Sequence, residues 1–219
     1  HQRHNLLRKL CLWCAYSRTR RIRATYLHRL DPLVTTGEFI LCTITLTMPP
    51  GDDLSERLDH LHEGLKRITR RRRDYKGGRH QESQFGRMAG MLACTDFAAD
   101  DNGWRPHVHA LILVHRDDAL DPFRPFDLDP MRAEWSSFTG DGSVVQVKLL
   151  GRRVINRPTL KGAVARVLTY ASRLGHGTKN NPDALTPEQR LEVHLQTKRK
   201  PLIRPTGVLR GQPKDVAPI

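Results

Sequence analysis

Apolar and polar residues alternate with a period of two in several segments, which predicts β-strands. The clearest segment is residues 38–48, where apolar side chains alternate with Thr43, Thr45 and Thr47. The predicted strand has one apolar face and a row of hydroxyls on the other. These hydroxyls can bond to phosphate oxygens or simply to water, so Thr45 and Thr47 are candidate phosphate-contacting residues. Residues 86–96 and 144–150 predict further strands.

Other segments repeat their apolar residues every three or four positions, as in an amphipathic helix. Asp52 or Asp53 is predicted to cap the first such helix, whose apolar stripe is Leu54, Leu58, Leu61, Leu65 and Ile68. The second covers residues 160–174, with the stripe Leu160, Val164, Val167, Leu168, Ala171 and Leu174. Shorter helices are predicted over residues 130–138 and from Thr186 to about residue 196.

A pair of histidines marks residues 103–115, whose run of apolar residues predicts a central strand covered on both faces. His107 and His109 would project from one face of this strand, about 6.5 to 7 Å apart along the chain. Two imidazoles so placed can hold one divalent metal ion. The alternative is a pair of surface histidines on a half-exposed strand.

Asp96 is the candidate third ligand of this site. If residues 86–96 and 103–115 form an antiparallel hairpin, its carboxylate could face both imidazoles. The alternative is an aspartate that only initiates the turn.

The charge balance indicates a polyanionic partner. The chain has 37 Lys and Arg against 23 Asp and Glu, a net charge of +14. Such a surplus favours nucleic acid over an anionic membrane surface. The densest run ends the first amphipathic helix and consists of Arg70, Arg71, Arg72 and Arg73. This run either contacts nucleic acid or forms a solvated charged face.

Basic segments are predicted at both ends, residues 1–37 as an extension and residues 176–219 as a Pro-rich, mostly irregular tail. Cys11 and Cys14 give half of a tetrahedral zinc site, which His1 and His4 could complete; the alternative is two free cysteines on a basic helix. Four cysteines do not predict a disulfide-built secreted scaffold. With no apolar run of about 18 residues to span a membrane, we expect a cytoplasmic protein.

Tyr170 falls at the margin of the second helix's apolar stripe. Arg166 precedes it by four residues and Arg173 follows by three, so both would flank it on the helix surface. A tyrosine at such a boundary is usually a packing residue with its hydroxyl in water. Two flanking guanidiniums would instead favour the phenolate and hold a phosphate beside its oxygen.

Three of these segments, in this order, resemble motifs of the HUH endonucleases, and most closely of the rolling-circle replication initiators of bacterial plasmids. Those proteins carry a Thr-Leu-Thr-type strand, a Gly-Trp-x-Pro-His-x-His-x-Leu stretch and a helix with a tyrosine followed three residues later by a basic residue. The corresponding segments here are residues 45–47, residues 103–111, and Tyr170 with Arg173. The likeness covers roughly residues 38–175.

The chain departs from that family at two positions. Arg166 stands where the family has a glutamate four residues before its tyrosine, a residue thought to activate the second attack that ends replication. The family's acidic residue on the strand before the histidine pair falls near Ala93, which leaves Asp96 as a substitute candidate.

The resemblance implies an α+β fold, a central antiparallel sheet with helices on one side, as in the RRM-like palm of HUH endonucleases. The strands and helices predicted above are consistent with it. The nuclease domain would span residues 38–175, between the basic segments 1–37 and 176–219.

The resemblance also implies a chemistry. Mg²⁺ or Mn²⁺ would bind at His107 and His109, while structural Zn²⁺ is the candidate ion for the cysteines. Tyr170 would attack a phosphate positioned by Arg166 and Arg173, leaving a 5′-phosphotyrosine and a 3′-hydroxyl that primes rolling-circle plasmid replication. The partners would be single-stranded or hairpin DNA at an origin and a host replication helicase. The alternatives are a rolling-circle transposase or relaxase of the same superfamily, or a non-catalytic nucleic-acid-binding protein.

Overall fold

One five-stranded antiparallel sheet organises the protein. The computed structural model describes residues 12–121, 123–150, 157–173, 185–198 and 200–210. The strands are β1 (Phe39–Thr47), β2 (Met88–Asp100), β3 (Gly103–His115), β4 (Val145–Leu149) and β5 (Ile203–Gly207), and they lie in the order β4-β1-β3-β2-β5. The helices are α1 (Leu12–Thr35), α2 (Leu54–Lys76), α3 (Leu128–Thr139), α4 (Arg157–Arg173) and α5 (Pro187–Thr197).

The central hairpin of β2 and β3 forms as the sequence predicts. The two strands pair along their length, from Asp100 opposite Gly103 at the turn to Met88 opposite Val114 at the far end. The other edge of β3 pairs with β1. β3 is therefore the middle strand. Its residues from Ala110 to Val114 are all 0% exposed, which confirms the predicted strand covered on both faces.

The alternation of side chains gives the sheet two faces, both covered by helices. We call the face with Ile44, Ala93 and Val108 the back face; α2 and α3 pack on it. The other, which we call the front face, carries Leu41 and Leu111 and is covered by α1 and α4. The α+β fold is as predicted, but the helices are not confined to one side. Because β3 is apolar on both faces, both faces need cover.

Among the described residues, α1 and α4 cover only part of the front face. Side chains of α1 and α4 form an apolar cluster with Leu41, Leu92, Cys94, Leu111 and Leu113 of the sheet. The next front-face positions of β3 are His109 and His107, because side chains alternate along a strand. The front face therefore changes from apolar to polar at the histidine pair.

Both ends of the chain contribute more to the fold than their composition suggests. In the predicted N-terminal extension, Leu30 and Val34 of α1 are 0% and 1% exposed in the front-face cluster. In the tail, which is predicted to be mostly irregular, residues 203–207 form β5 and pair with β2. β5 contains Pro205, which is tolerated because β5 is an edge strand. Among the described helices, none is long and apolar enough to cross a bilayer.

Candidate metal centre

Strand pairing brings three potential metal ligands together on the front face. In the β2–β3 register Asp96 lies opposite His107, and His109 is two residues further along β3. One ligand atom from each residue lies within 4.8 Å of the other two. The Oδ2 atom of Asp96 is 3.8 Å from Nε2 of His107, and the two imidazole centroids are 5.0 Å apart. Asp96 thus faces both imidazoles, the arrangement that the hairpin interpretation predicted.

The surroundings favour the neutral form of the His109 imidazole, which is the form that binds a cation. The side chains of Asp96 and His107 are only 15% and 17% exposed. Burial, and secondarily the neighbouring His107, lowers the pKa of His109 to about 4. The His109 imidazole is therefore neutral at pH 7, and a neutral imidazole has the lone pair that a metal ion needs.

A hydrogen bond at Nδ1 orients each of the two imidazoles. Nδ1 of His107 lies 3.2 Å from the main-chain oxygen of Arg105. A carbonyl oxygen can only accept, so Nδ1 donates and Nε2, the atom nearest Asp96, has the free lone pair. Nδ1 of His109 lies 3.1 Å from Oγ1 of Thr45. When Nδ1 donates to this hydroxyl, Nε2 of His109 carries the ring's lone pair and is the atom that binds a metal ion.

The donor set fits a divalent cation. Two imidazole nitrogens and one carboxylate oxygen are ligands that first-row divalent metals accept, and three protein ligands leave positions for water or substrate oxygens. Of the candidate ions, imidazole suits Zn²⁺ best, whereas Mg²⁺ and Mn²⁺ favour the oxygen ligands that Asp96 and water supply.

Asp96 supplies the carboxylate at this centre. The acidic residue of the HUH endonucleases would fall near Ala93 instead. Ala93 lies on the back face, packed in its apolar cluster and 2% exposed. A side chain at that position points away from the imidazoles, because positions 93 and 96 differ by an odd number along the strand.

The predicted phosphate-contacting threonines already have partners within the protein. Thr45 contacts His109, and Oγ1 of Thr47 accepts a 3.1 Å hydrogen bond from the main-chain nitrogen of Val144. Thr45 is thus placed to support a metal ligand.

The four-arginine run lies far from the centre. Arg71 forms an ion pair with Glu134 at 3.6 Å, and Arg72 donates to the main-chain oxygen of Ala89 at 2.7 Å, while Arg70 and Arg73 are exposed. Ala89 precedes Asp96 by seven residues on β2, a separation of about 23 Å. α2 also packs on the back face. The run therefore belongs to a different surface from the metal centre.

The helix with Tyr170 packs on the same face as the imidazoles. Leu160, Val164, Val167 and Leu168 of α4 contribute to the front-face cluster, which also contains Cys94, the neighbour of His109 across β2 and β3. Arg166 of this helix is exposed. The side chains of Tyr170 and Arg173 lie outside the described residues, as does Cys11; of Cys14, only the backbone within α1 is described.

Two residues near the centre have roles that the strand patterns do not predict. The pattern of β1 does not show that Thr45 contacts His109, since cross-strand register cannot be deduced from either strand alone. Arg105 carries no signal of its own in the sequence, although its spacing of two from His107 places it on the front face.

We expect Thr45→Val to weaken Mn²⁺ binding about 10-fold, because losing the hydrogen bond to His109 frees the ring to rotate. Thr45→Ser keeps a hydroxyl and should bind nearly as the wild type. Thr43→Val is the matched control on the same strand and face, since its hydroxyl contacts the Lys148 main-chain oxygen at 3.4 Å and neither imidazole. Isothermal titration calorimetry measures the three affinities. Equal affinities for Thr45→Val and Thr43→Val would show that the Thr45 hydroxyl does not support the ligand.

Comparisons with known proteins add no relative to this description. No protein family, no curated protein and no solved structure matches the chain significantly. A functional proposal therefore depends on the residues of the site and on their geometry.

Proposed function

We propose that this protein is a metal-dependent single-stranded DNA endonuclease and strand transferase with Tyr170 as its nucleophile. The observation that carries the proposal is the convergence of Asp96, His107 and His109 on the sheet face against which the Tyr170 helix packs. The net charge of +14 supports a polyanionic substrate.

The chain's own residues would perform each step around a bound cation. Asp96, His107 and His109 would hold Mg²⁺ or Mn²⁺, which would supply Lewis-acid polarisation of the phosphate. The Tyr170 oxygen attacks phosphorus, the bond from phosphorus to the 3′ oxygen breaks, and the phenol's proton passes through water to that leaving oxygen. The new bond joins tyrosine to the 5′ phosphate of one DNA segment, and the other segment leaves with a protonated 3′-hydroxyl.

The covalent product conserves the energy of the phosphodiester. A later attack by a 3′-hydroxyl on the phosphotyrosine can rejoin the strand without ATP. Arg166 and Arg173 would bind the phosphate beside Tyr170. Arg166, in place of the similar family's glutamate, favours phosphate binding over activation of a second nucleophile.

The resemblance to plasmid replication initiators suggests the biological role. The nick would be made at a single-stranded or hairpin origin, and its 3′-hydroxyl would prime rolling-circle replication with a host helicase opening the duplex. A transposase or relaxase of the same superfamily would use the same chemistry.

The proposal is tested with end-labelled single-stranded DNA and Mn²⁺. We expect 3′-end label to appear on the protein in a denaturing gel, and 5′-end label to appear on shorter free DNA, because the 5′ phosphate stays with tyrosine. EDTA should abolish both products. Binding without any Mn²⁺-stimulated cleavage would instead support a non-catalytic nucleic-acid-binding protein.

A further inference from the structure

Arg105 extends the row of front-face side chains beyond the metal centre. Positions 105, 107 and 109 of β3 lie on the same face, because side chains two residues apart in a strand point the same way. Arg105 is therefore about 6.5 to 7 Å from His107 along the strand. Its neighbour across the hairpin is Ala98, whose side chain is small and uncharged. Arg105 is thus the cation beside the two imidazoles on the central strand.

Asp100 forms an ion pair with the guanidinium of Arg105 and leaves part of it exposed. Asp100 is two residues beyond Ala98 on the same face of β2, a diagonal neighbour of Arg105, and forms an ion pair with its Nη2 atom. The Arg105 side chain is still 43% exposed. Its Nε atom is buried and has no hydrogen-bond partner among the described residues. A guanidinium has five N–H donors, so donors remain for a second anion.

Charge at the centre favours a cation at this position. Asp96 and Asp100 place two carboxylates on the front face of β2, where an approaching phosphodiester would be repelled. A metal ion bound at Asp96 would offset the charge of that carboxylate. Arg105 is placed to offset the charge of Asp100 and to attract the neighbouring phosphate of a bound DNA strand.

We propose that Arg105 binds a backbone phosphate adjacent to the scissile one, so that single-stranded DNA lies along β3 from the metal centre towards the hairpin end. The inference rests on the proposed function and adds a subsite to it. Because the contact is to phosphate and not to a base edge, the subsite binds a single strand without reading its sequence. The planar guanidinium can hold two phosphate oxygens at once, which a lysine cannot.

Arg105→Gln tests the subsite. In EDTA, we expect the dissociation constant for a fluorescent single-stranded oligonucleotide to rise about 5- to 10-fold. We also expect the slope of the logarithm of the binding constant against the logarithm of the salt concentration to become shallower by about 0.7, the value for one lost phosphate contact on a single strand. The dissociation constant of Arg105→Lys should lie between those of the wild type and Arg105→Gln, since lysine keeps the positive charge but cannot hold two phosphate oxygens at once. Mn²⁺ affinity should stay at the wild-type value, because His107 bonds to the main-chain oxygen of Arg105.

Two controls separate phosphate binding from a structural role. Arg132→Gln removes a similarly exposed arginine, ion-paired to Asp129 at 2.9 Å on the back-face helix α3, and should leave DNA binding unchanged. Asp100→Asn breaks the Arg105 ion pair but keeps the guanidinium, so DNA should bind as tightly as to the wild type or more tightly. Equal weakening by Asp100→Asn and Arg105→Gln, or wild-type binding by Arg105→Gln, would overturn the proposal.

The failures of this inference and of the proposed function are distinguishable. Wild-type DNA binding by Arg105→Gln, in a protein that still forms the covalent product, would remove the subsite and leave the nuclease. Weakened binding by Arg105→Gln in a protein that never forms the product would leave Arg105 as a nucleic-acid contact and remove the nuclease.

Discussion

Tyr170→Phe should lower the yield of covalent protein–DNA product by about three orders of magnitude or more, because phenylalanine has no oxygen with which to attack phosphorus. DNA binding should stay near the wild-type value, since the basic residues that contact phosphates are unchanged. The measurement is the labelled-DNA gel, with a binding titration of the same protein preparation.

Tyr26→Phe is the matched control for this substitution. Tyr26 is on α1 and packs against the front-face cluster, so it is a second phenol on the same side of the sheet. Burial raises the pKa of the Tyr26 phenol, which makes it a poor nucleophile. Tyr26→Phe should form the product normally. Undiminished product from Tyr170→Phe would show that another residue is the nucleophile.

His107→Ala should weaken Mn²⁺ binding more than about 100-fold and abolish Mn²⁺-dependent cleavage. The substitution leaves two of the three ligands, and two ligands hold a divalent ion poorly. Asp96→Asn should have a similar direction of effect, since it removes the anionic ligand while keeping the shape of the side chain. Calorimetry gives the affinities, and the gel gives the activities.

His115→Ala is the control for both variants. His115 is on the same strand and the same face as His107 but eight residues away, a separation of about 26 Å. Its ring packs edge-on against Phe39. Mn²⁺ affinity and cleavage should therefore be unchanged. Wild-type Mn²⁺ binding by His107→Ala would contradict the assignment of the centre.

The ligand set could be predicted from the sequence because it depends on short-range features. A strand's period of two places His107 and His109 on one face, and a tight turn fixes which residues face each other in a hairpin. The turn pairs Asp100 with Gly103, and this register brings Asp96 opposite His107. The identity of the third ligand follows from those two facts.

Features that depend on long-range packing could not be predicted. Nothing in the local pattern shows that α1 joins the front-face cluster or that β5 pairs with β2. Many of the contacts that fix them are with residues more than 100 positions away, such as Arg23 with Ala165 and β5 with β2. The arginine run shows the same limit. Local charge alone does not distinguish a DNA-contacting surface from a solvated charged face. In the structure Arg71 pairs with Glu134 and Arg72 donates to the main-chain oxygen of Ala89, and the run lies on the back-face helix α2.

Anomalous X-ray diffraction from crystals soaked in Mn²⁺ can show whether the carboxylate of one strand and two imidazoles of the next hold a single metal ion. We predict one anomalous peak about 2.0 to 2.3 Å from the carboxylate of Asp96 and from Nε2 of both His107 and His109. A map with no peak among these three side chains, at Mn²⁺ concentrations that support cleavage, would show that they do not form a metal centre.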